Sequence, residues 1–118
     1  MKLQGVHHVS LNVRNVDEAG KFYLEVLGLE KLPRPDFGFD GLWLRSEGQE
    51  IHLMKVENHE APEGQHFAFR VDSLAAAIEE LEGKGVKVSK PFDLPGGARQ
   101  AFLRDPSGNM IELNQPGS

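Results

Sequence analysis

The 118-residue sequence contains no cysteine. This absence excludes disulfide bonds, thiolate metal sites and a cysteine nucleophile. Any metal ion bound by the chain must therefore be held by nitrogen and oxygen ligands. The sequence also lacks an apolar run that approaches the length of a membrane span, and its first residues, MKLQGVHHVS, lack the apolar core of a signal peptide. We therefore expect a cytoplasmic protein that does not bind membranes.

Basic residues are outnumbered. Lys and Arg total 13 against 18 Asp and Glu, which gives a net charge of −5. A surface that follows the phosphates of a nucleic acid is not expected from this balance. The hydrophobic share of 39% and the charged share of 26% are ordinary for a globular protein. The length suits one compact domain.

The first half of the chain alternates between strand and helix patterns. VHHVSLNV alternates apolar and polar residues, which predicts a half-buried strand. In VDEAGKFYLEVLGLE the apolar residues recur at helical spacing, with Asp17 as the predicted N-cap and Gly28 as the predicted stop. The turn-rich PRPDFGFDG then precedes LWLRSEGQEIHLMKV, which predicts two strands joined in a hairpin at Ser46–Gly48.

The second half repeats this order. HFAFRV predicts a strand, and DSLAAAIEELEGKG predicts a helix that begins at Asp72 or Ser73 and stops at Gly83 or Gly85. VKV predicts a short strand at 86–88 and DLPGG a turn. RQAFLRDPSGNMIELN predicts a second hairpin, turning at 105–108.

The two halves can be placed in register. His8 and His66 each begin a strand, at an offset of 66 − 8 = 58 residues, and His52 corresponds to Glu112 at an offset of 112 − 52 = 60. Two such matches, with the intervening elements in the same order, indicate a duplication. We therefore predict an α+β fold of two tandem βαβββ modules, about 4–58 and about 63–115, that form a curled sheet of half-barrels in one domain, 1–118.

Four side chains with metal-binding atoms share the polar faces of the predicted strands. Alternation places apolar residues on one face of each strand and these four on the other: His8, His52, His66 and Glu112. If the sheet curls, that face lines a concave cleft. Three histidines and a carboxylate suit one divalent ion, Zn, Ni, Mn, Fe or Co, and leave a position for water or substrate.

Several other residues are further candidates for the site. His7 falls on the apolar phase of the first strand and is predicted to be structural or exposed at an edge, and His59 is predicted to face solvent. The guanidinium groups of three arginines could either bind an anionic substrate group or be simply solvated: Arg70, Arg99 and Arg104. LPGGARQ fits either a mobile flap or a plain turn. The sequence leaves open whether two further sets face the cleft: Trp43 with Arg45, and Gln100 with Phe102 and Arg104.

With these features the sequence resembles the vicinal oxygen chelate superfamily. The resemblance spans nearly the whole chain and is carried by HHVSLNV, FYLEVLGL, EIHLM, HFAFRV and, most specifically, DPSGNMIEL. It implies paired βαβββ modules around one divalent ion, with His8, His52, His66 and Glu112 as the ligands. The superfamily includes glyoxalase I, extradiol dioxygenases, methylmalonyl-CoA epimerase and bleomycin-binding proteins. Glyoxalase I usually carries Glu where His52 stands, and the epimerases generally carry Gln there.

Three functions remain open under this resemblance. The leading one is a glyoxalase-like, metal-dependent lyase or isomerase that acts on a small oxygen-rich substrate through a metal-stabilised enediolate, with Glu112 as the catalytic base. The second is extradiol ring cleavage by iron held by His8, His66 and Glu112. The third is a bleomycin-resistance-like protein that only binds a small molecule. The resemblance also implies a homodimer, in which His8 and His52 of one chain complete a site with His66 and Glu112 of the other.

Overall fold

The computed structural model describes residues 1–117. The chain divides into two compact units, Met1–Glu60 and a second that begins at Ala61, called here the first and second modules. The elements of the first module are β1 His8–Val13, α1 Val16–Lys21, β2 Glu30–Leu32, β3 Gly41–Ser46 and β4 Gln49–Lys55. Those of the second are β5 His66–Arg70, α2 Leu74–Gly83, β6 Phe92–Asp93, β7 Arg99–Arg104 and β8 Met110–Gln115. The predicted α+β order, βαβββ twice, is confirmed.

Each module builds one open four-stranded mixed sheet. The strand orders are β1-β4-β3-β2 and β5-β8-β7-β6. In both sheets the first strand of the module runs parallel to the last, and the remaining neighbours are antiparallel. The parallel pair requires a crossover connection, which the helix of each module supplies.

The core of the first module lies on the apolar face of its sheet. Leu44 on β3 and Leu53 on β4 have fully buried side chains, and so does Tyr23 on the helical segment. Burial of each such side chain stabilises the fold by about 1.5–3 kcal/mol. The opposite face of this sheet carries polar residues, among them His8 on β1 and His52 on β4.

The first helix begins two residues earlier than predicted. Asn15, and not Asp17, is the N-cap, and its side chain accepts a hydrogen bond of 2.9 Å from the backbone N–H of Glu18. Asp17 lies in the first turn, where a carboxylate interacts favourably with the helix dipole. The α-helix continues as a π-helical turn, Phe22–Val26, and Gly28, at a φ of 77°, ends it as predicted.

The second helix begins and ends within the predicted limits. Ser73 caps its N-terminus by accepting a hydrogen bond from the backbone N–H of Ala76, and the helix ends at Gly83. The side chain of Gln115 accepts a 2.8 Å hydrogen bond from the backbone N–H of Leu74, which ties the start of α2 to the end of β8.

The short strand predicted at 86–88 is wrong. Those residues have no strand pairing, and the edge strand β6 lies further along the chain, at Phe92–Asp93. Ser89 explains the difference, because its backbone N–H donates to the carbonyl of Phe102 and its hydroxyl accepts from the N–H of Phe102, both at 2.8 Å. These two bonds join the segment to β7 through a side chain, in place of a regular backbone ladder.

The DPSGN segment is a turn organised by a buried carboxylate. Asp105 accepts hydrogen bonds from the backbone N–H groups of Ser107 and Asn109 and from the Asn109 side chain, at 2.8–2.9 Å. Gly108 takes a φ of 85°, which a residue with a side chain rarely adopts. Both predicted hairpins, at 46–48 and at 105–108, are present. Within the described residues no helix is long and apolar enough to cross a membrane.

Candidate functional site

The second module brings His66 and Glu112 into direct contact. Glu112 lies opposite Ala68 in the β5–β8 register, and His66 Nε2 is 3.2 Å from Glu112 Oε1. The Glu112 side chain is 11% exposed and the His66 side chain 35% exposed. The Asn114 amide donates to Glu112 Oε2 at 2.9 Å, so both carboxylate oxygens have defined neighbours.

The hydrogen bonds around His66 define which of its nitrogens is available. Its Nδ1 is 2.9 Å from the carbonyl oxygen of Gly64, and a carbonyl only accepts, so Nδ1 carries a proton. In a neutral ring Nε2 then presents a lone pair, and it faces a carboxylate oxygen that also only accepts. Two unprotonated acceptors at 3.2 Å repel each other, so this contact requires a proton on one of the two atoms or a cation bound by both.

The first module brings His8 and His52 together in a different way. Their rings are stacked, with centroids 4.0 Å apart and planes 16° apart. Trp43, opposite His52 in the β3–β4 register, stacks on the other side of His52 at 4.2 Å. The His52 ring is therefore held between two aromatic rings, and its side chain is only 9% exposed.

Glu50 fixes the orientation of the His52 ring. Its Oε1 is 2.9 Å from His52 Nε2, so Nε2 carries the proton and Nδ1 is the nitrogen with a lone pair in a neutral ring. The hydrogen bond from His52 lowers the pKa of the Glu50 carboxyl below its ordinary value, and His7, His52 and His8 lower it further through their charges. An outer carboxylate commonly orients a metal-binding histidine through a hydrogen bond of this kind.

The two pairs differ in how well they fit a metal ion. The donor chemistry of His66 and Glu112 fits, because a shared cation resolves their contact. The lone pairs of His8 and His52 lie in ring planes that are nearly parallel and 4.0 Å apart, so at least one ring must rotate before both nitrogens can contact one ion. Among residues 1–117 no three His, Asp or Glu side chains are grouped closely enough to hold a metal.

The two remaining histidines differ from expectation in detail. His7 is exposed, as predicted. Its side chain nevertheless lies beside that of His8, since the two Nδ1 atoms are 2.9 Å apart. His7 precedes β1, so the alternation of the strand does not govern its direction. His59 was expected to face solvent and is half-buried, and its carbonyl accepts a hydrogen bond from the Arg14 side chain.

Two of the candidate arginines are engaged by their own module. Arg99 Nε donates to Asp93 at 2.8 Å, and Arg104 donates to the carbonyl of Gly108 at 2.9 Å. Arg70 is exposed on β5. The LPGGARQ segment contains a tight turn, Pro95–Gly97, in which Gly96 and Gly97 both have positive φ and the Leu94 N–H donates to the Ala98 carbonyl.

The register settles which aromatic residues share the polar faces. Trp43 lies opposite His52, and Phe102 lies opposite Glu112 and meets the His66 ring edge-on at 5.3 Å. The offset between these two aromatics, 102 − 43 = 59, falls between the offsets of the predicted ligands. Trp43 and Phe102 are therefore a further pair of corresponding residues in the two modules. Their spacing in the sequence could have identified this pair.

A cavity in the first module involves residues that sequence reasoning had assigned only to a turn. It has a volume of about 200 Å³, and its lining comprises His8, Ser10, Arg34, Phe37, Phe39, Trp43, His52 and Met54. The loop between β2 and β3 supplies three of these. The pattern PRPDFGFDG contained a signal for this, since two exposed phenylalanines in a turn-rich segment are unusual for a simple connection.

Several known proteins are similar in sequence to this chain. Residues 5–113 match the model of the glyoxalase/bleomycin resistance protein/dioxygenase superfamily. A protein named Glyoxylase I 4 from Arabidopsis thaliana is 33% identical, over 96% of this chain and 71% of its own length. A protein named probable lactoylglutathione lyase from Vibrio parahaemolyticus is 31% identical, over 92% of this chain and 88% of its own.

A solved structure extends the comparison. The antibiotic binding protein TnmS3 from a Streptomyces species is 30% identical, covers 99% of both chains and superposes with a TM-score of 0.85. The match of the family model over almost the whole length, together with the repeated βαβββ order, assigns the family. The chain belongs to the glyoxalase/bleomycin resistance protein/dioxygenase superfamily.

Proposed function

We propose that this protein is a metal-dependent lyase or isomerase of the glyoxalase type, acting on a small substrate with two adjacent oxygen atoms. The observation that carries the proposal is the contact between His66 Nε2 and Glu112 Oε1, in which Nδ1 is already committed to the Gly64 carbonyl. The relatives named glyoxalase I and lactoylglutathione lyase support the reaction class.

The proposed ligands of one divalent ion are His8, His52, His66 and Glu112. When bound, such an ion would act as a Lewis acid that polarises the substrate oxygens and makes the neighbouring C–H group more acidic. Glu50 would keep the His52 Nδ1 lone pair available, and the Gly64 carbonyl would do the same for His66 Nε2.

Glu112 is proposed as the base that moves the carbon-bound proton. Its carboxylate is nearly buried, so little water competes for its oxygens. Asn114 holds Oε2, which leaves Oε1 as the oxygen that faces His66 and the substrate side. A positioned carboxylate of this kind contributes about 10²–10⁴-fold to the rate of proton transfer.

The test is Glu112→Gln, compared with Glu79→Gln on the exposed surface of α2. Metal content is measured after reconstitution, and turnover is measured with 2-oxoaldehydes, with and without glutathione. We expect Glu112→Gln to retain bound metal and to lose turnover by about 10²–10⁴-fold, while Glu79→Gln matches the wild type. Full turnover in Glu112→Gln would remove this residue from the mechanism.

We also propose that the protein is a homodimer whose sites are shared between chains. The support is that each module contributes two of the four proposed ligands, so that either a module of the same chain or one of a partner can complete the set. The test mixes a His8→Ala/His52→Ala chain with a His66→Ala/Glu112→Ala chain under conditions that exchange subunits.

The outcome of that mixing experiment is quantitative. For shared sites, half of the dimers are mixed and each has one intact site of two, so turnover returns to about one quarter of the wild-type value. For sites within a chain, no mixture has an intact site and turnover stays at zero. A protein that is monomeric by light scattering at micromolar concentration would also contradict the proposal.

A binding function without catalysis is the second candidate. It is favoured by the stacked arrangement of His8, His52 and Trp43, which forms an aromatic surface and not a convergent ligand set, and by the likeness to an antibiotic binding protein. Under this alternative, a chelator leaves ligand affinity unchanged and no turnover is found with any reconstituted metal.

A further inference from the structure

The loop that joins β2 to β3 carries an aromatic cluster onto the polar face of the first module. Phe37 stacks on Phe39 with centroids 5.9 Å apart and also lies 5.9 Å from Trp43. Phe37 is 51% exposed and Phe39 49% exposed. Large apolar side chains left this open on a loop, around a cavity, indicate a surface that contacts a ligand.

Arg34 lies within the same cluster. Its guanidinium carbon is 5.0 Å from the centroid of Phe37 and 5.1 Å from that of Phe39. Within the described part of the chain its Nε is buried and has no hydrogen-bond partner. A buried guanidinium N–H without an acceptor is uncommon, because guanidinium donors are strongly hydrated when they are not paired.

The backbone is arranged to admit this side chain. Gly41, the first residue of β3, has no Cβ, and a Cβ there would lie 2.7 Å from the Arg34 Nη2 and 2.6 Å from the Leu53 carbonyl oxygen. Only glycine therefore allows Arg34 to lie against the strand. The position of the cation is thus built into the fold.

The nearby carboxylates do not neutralise Arg34. Asp36 accepts a hydrogen bond from the Gly38 N–H, and Asp40 lies 4.0 Å from Lys55. Both line a larger cavity, to which Asp17 and Arg34 also contribute. The residues that line the aromatic cavity include no carboxylate. The aromatic cavity therefore combines the Arg34 cation with a lining free of carboxylates, which favours an anion there.

We propose that the cavity of about 200 Å³ binds an aromatic carboxylate, with its ring against Phe37 and Trp43 and its carboxylate on Arg34. A guanidinium pairs with a carboxylate through two parallel hydrogen bonds, and aromatic rings pack on one another at the separations that these side chains already have. This inference names a substrate class for the proposed function. It rests on that function in one respect, namely that a ligand bound beside His8 and His52 is the substrate.

The experiment uses the full-length protein in the presence of a chelator, so that binding is measured without metal chemistry. Trp43 is the only tryptophan in the sequence and lines the cavity, so its fluorescence reports occupancy directly. The probes are phenylacetate, the neutral phenylacetamide and the non-aromatic cyclohexylacetate. Calorimetry confirms each affinity.

We expect phenylacetate to bind about tenfold or more tightly than phenylacetamide, because a charged hydrogen-bond pair is lost in the amide. Arg34→Gln is expected to abolish that preference, while the matched Arg70→Gln, on an exposed position of the second module, keeps it. Phe37→Leu is expected to narrow the preference for phenylacetate over cyclohexylacetate. Thermal unfolding of each variant establishes that it is folded.

The proposal is overturned by equal affinities for phenylacetate and phenylacetamide in the wild type, by a preference that survives in Arg34→Gln, or by the absence of any Trp43 response to the three probes. These results are independent of turnover. Selective binding without lyase activity would contradict only the proposed function, and lyase activity without selective binding would contradict only this inference.

Discussion

The two modules place corresponding residues on corresponding strands and use them differently. In the second module the histidine and the carboxylate face each other at 3.2 Å, and the histidine is anchored to a backbone carbonyl. In the first module the two histidines are stacked face to face and share their surface with a tryptophan. Corresponding strand positions thus carry a histidine–carboxylate contact in the second module and stacked aromatic rings in the first.

The loops before the third strand of each module make the same contrast. In the first module this loop carries Arg34, Phe37 and Phe39 over the polar face. In the second it is a tight turn, Pro95–Gly97, and Phe92 is the aromatic residue that reaches Phe102, at 5.9 Å. A longer loop can project side chains beyond the sheet, whereas a tight turn cannot.

The largest expected effect concerns the histidines that we propose as metal ligands. Because His66 is already oriented and His8 must first leave its stack, His66→Ala is expected to weaken metal binding more than His8→Ala does. The loss for His66→Ala should exceed the roughly 100-fold seen when an outer-shell partner is removed. Competition titration against a chromogenic chelator measures both, and a larger loss for His8→Ala would contradict the contrast.

The next effect compares the two hairpin turns. Asp105 satisfies three N–H groups in the second hairpin, so Asp105→Ala is expected to lower the free energy of unfolding by about 1–3 kcal/mol. Denaturant unfolding measures the change. Asp72→Ala, at an exposed position that does not cap α2, serves as the control. A change in Asp105→Ala no greater than in the control would show that the buried carboxylate does not hold the turn.

A smaller effect concerns the orientation of Glu112. The Asn114 amide holds Oε2, so Asn114→Ala is expected to weaken metal binding by about tenfold. Asn12, which lies on the polar face of the first module, provides the matched variant Asn12→Ala. Metal affinities of the two variants are compared by the same titration, and equal losses would mean that Asn114 has no particular part in positioning the carboxylate.

The smallest effect lies in the first hairpin. Glu47 is the residue in the described chain that adopts a positive φ without being glycine, at 52°. Glu47→Gly should relieve this conformation and raise the free energy of unfolding by up to about 1 kcal/mol. Denaturant unfolding again measures it, and a decrease in stability would show that the side chain makes a compensating contribution.

The repeat and the alternation predicted most of the fold. Strand periodicity and glycine stops located the hairpins and both helices, because these signals are local. The N-cap was misplaced because Asn15 and Asp17 both suit that role, and the choice depends on how the chain leaves β1. The strand at 86–88 was wrong because the bonds that fix Ser89 come from Phe102, which is distant in sequence.

The candidate site was predictable residue by residue but not in its arrangement. Alternation placed His52 and Glu112 on the polar faces, and the register agrees with that placement. The stacking of His52 between His8 and Trp43 depends on side-chain rotation, which a sequence pattern does not contain. The contribution of Arg34 was missed for a similar reason, since its position depends on the path of a loop and on the space left by Gly41.

The proposal on which the others depend is that His8, His52, His66 and Glu112 bind one divalent ion per chain. The most direct measurement is the metal content per chain after separate reconstitution with Zn, Ni, Co, Mn and Fe and removal of excess metal. The account predicts about one ion per chain for at least one of these metals, and none in a His66→Ala/Glu112→Ala chain that remains folded. A wild-type chain that retains no ion, or a double variant that retains as much as the wild type, would contradict it.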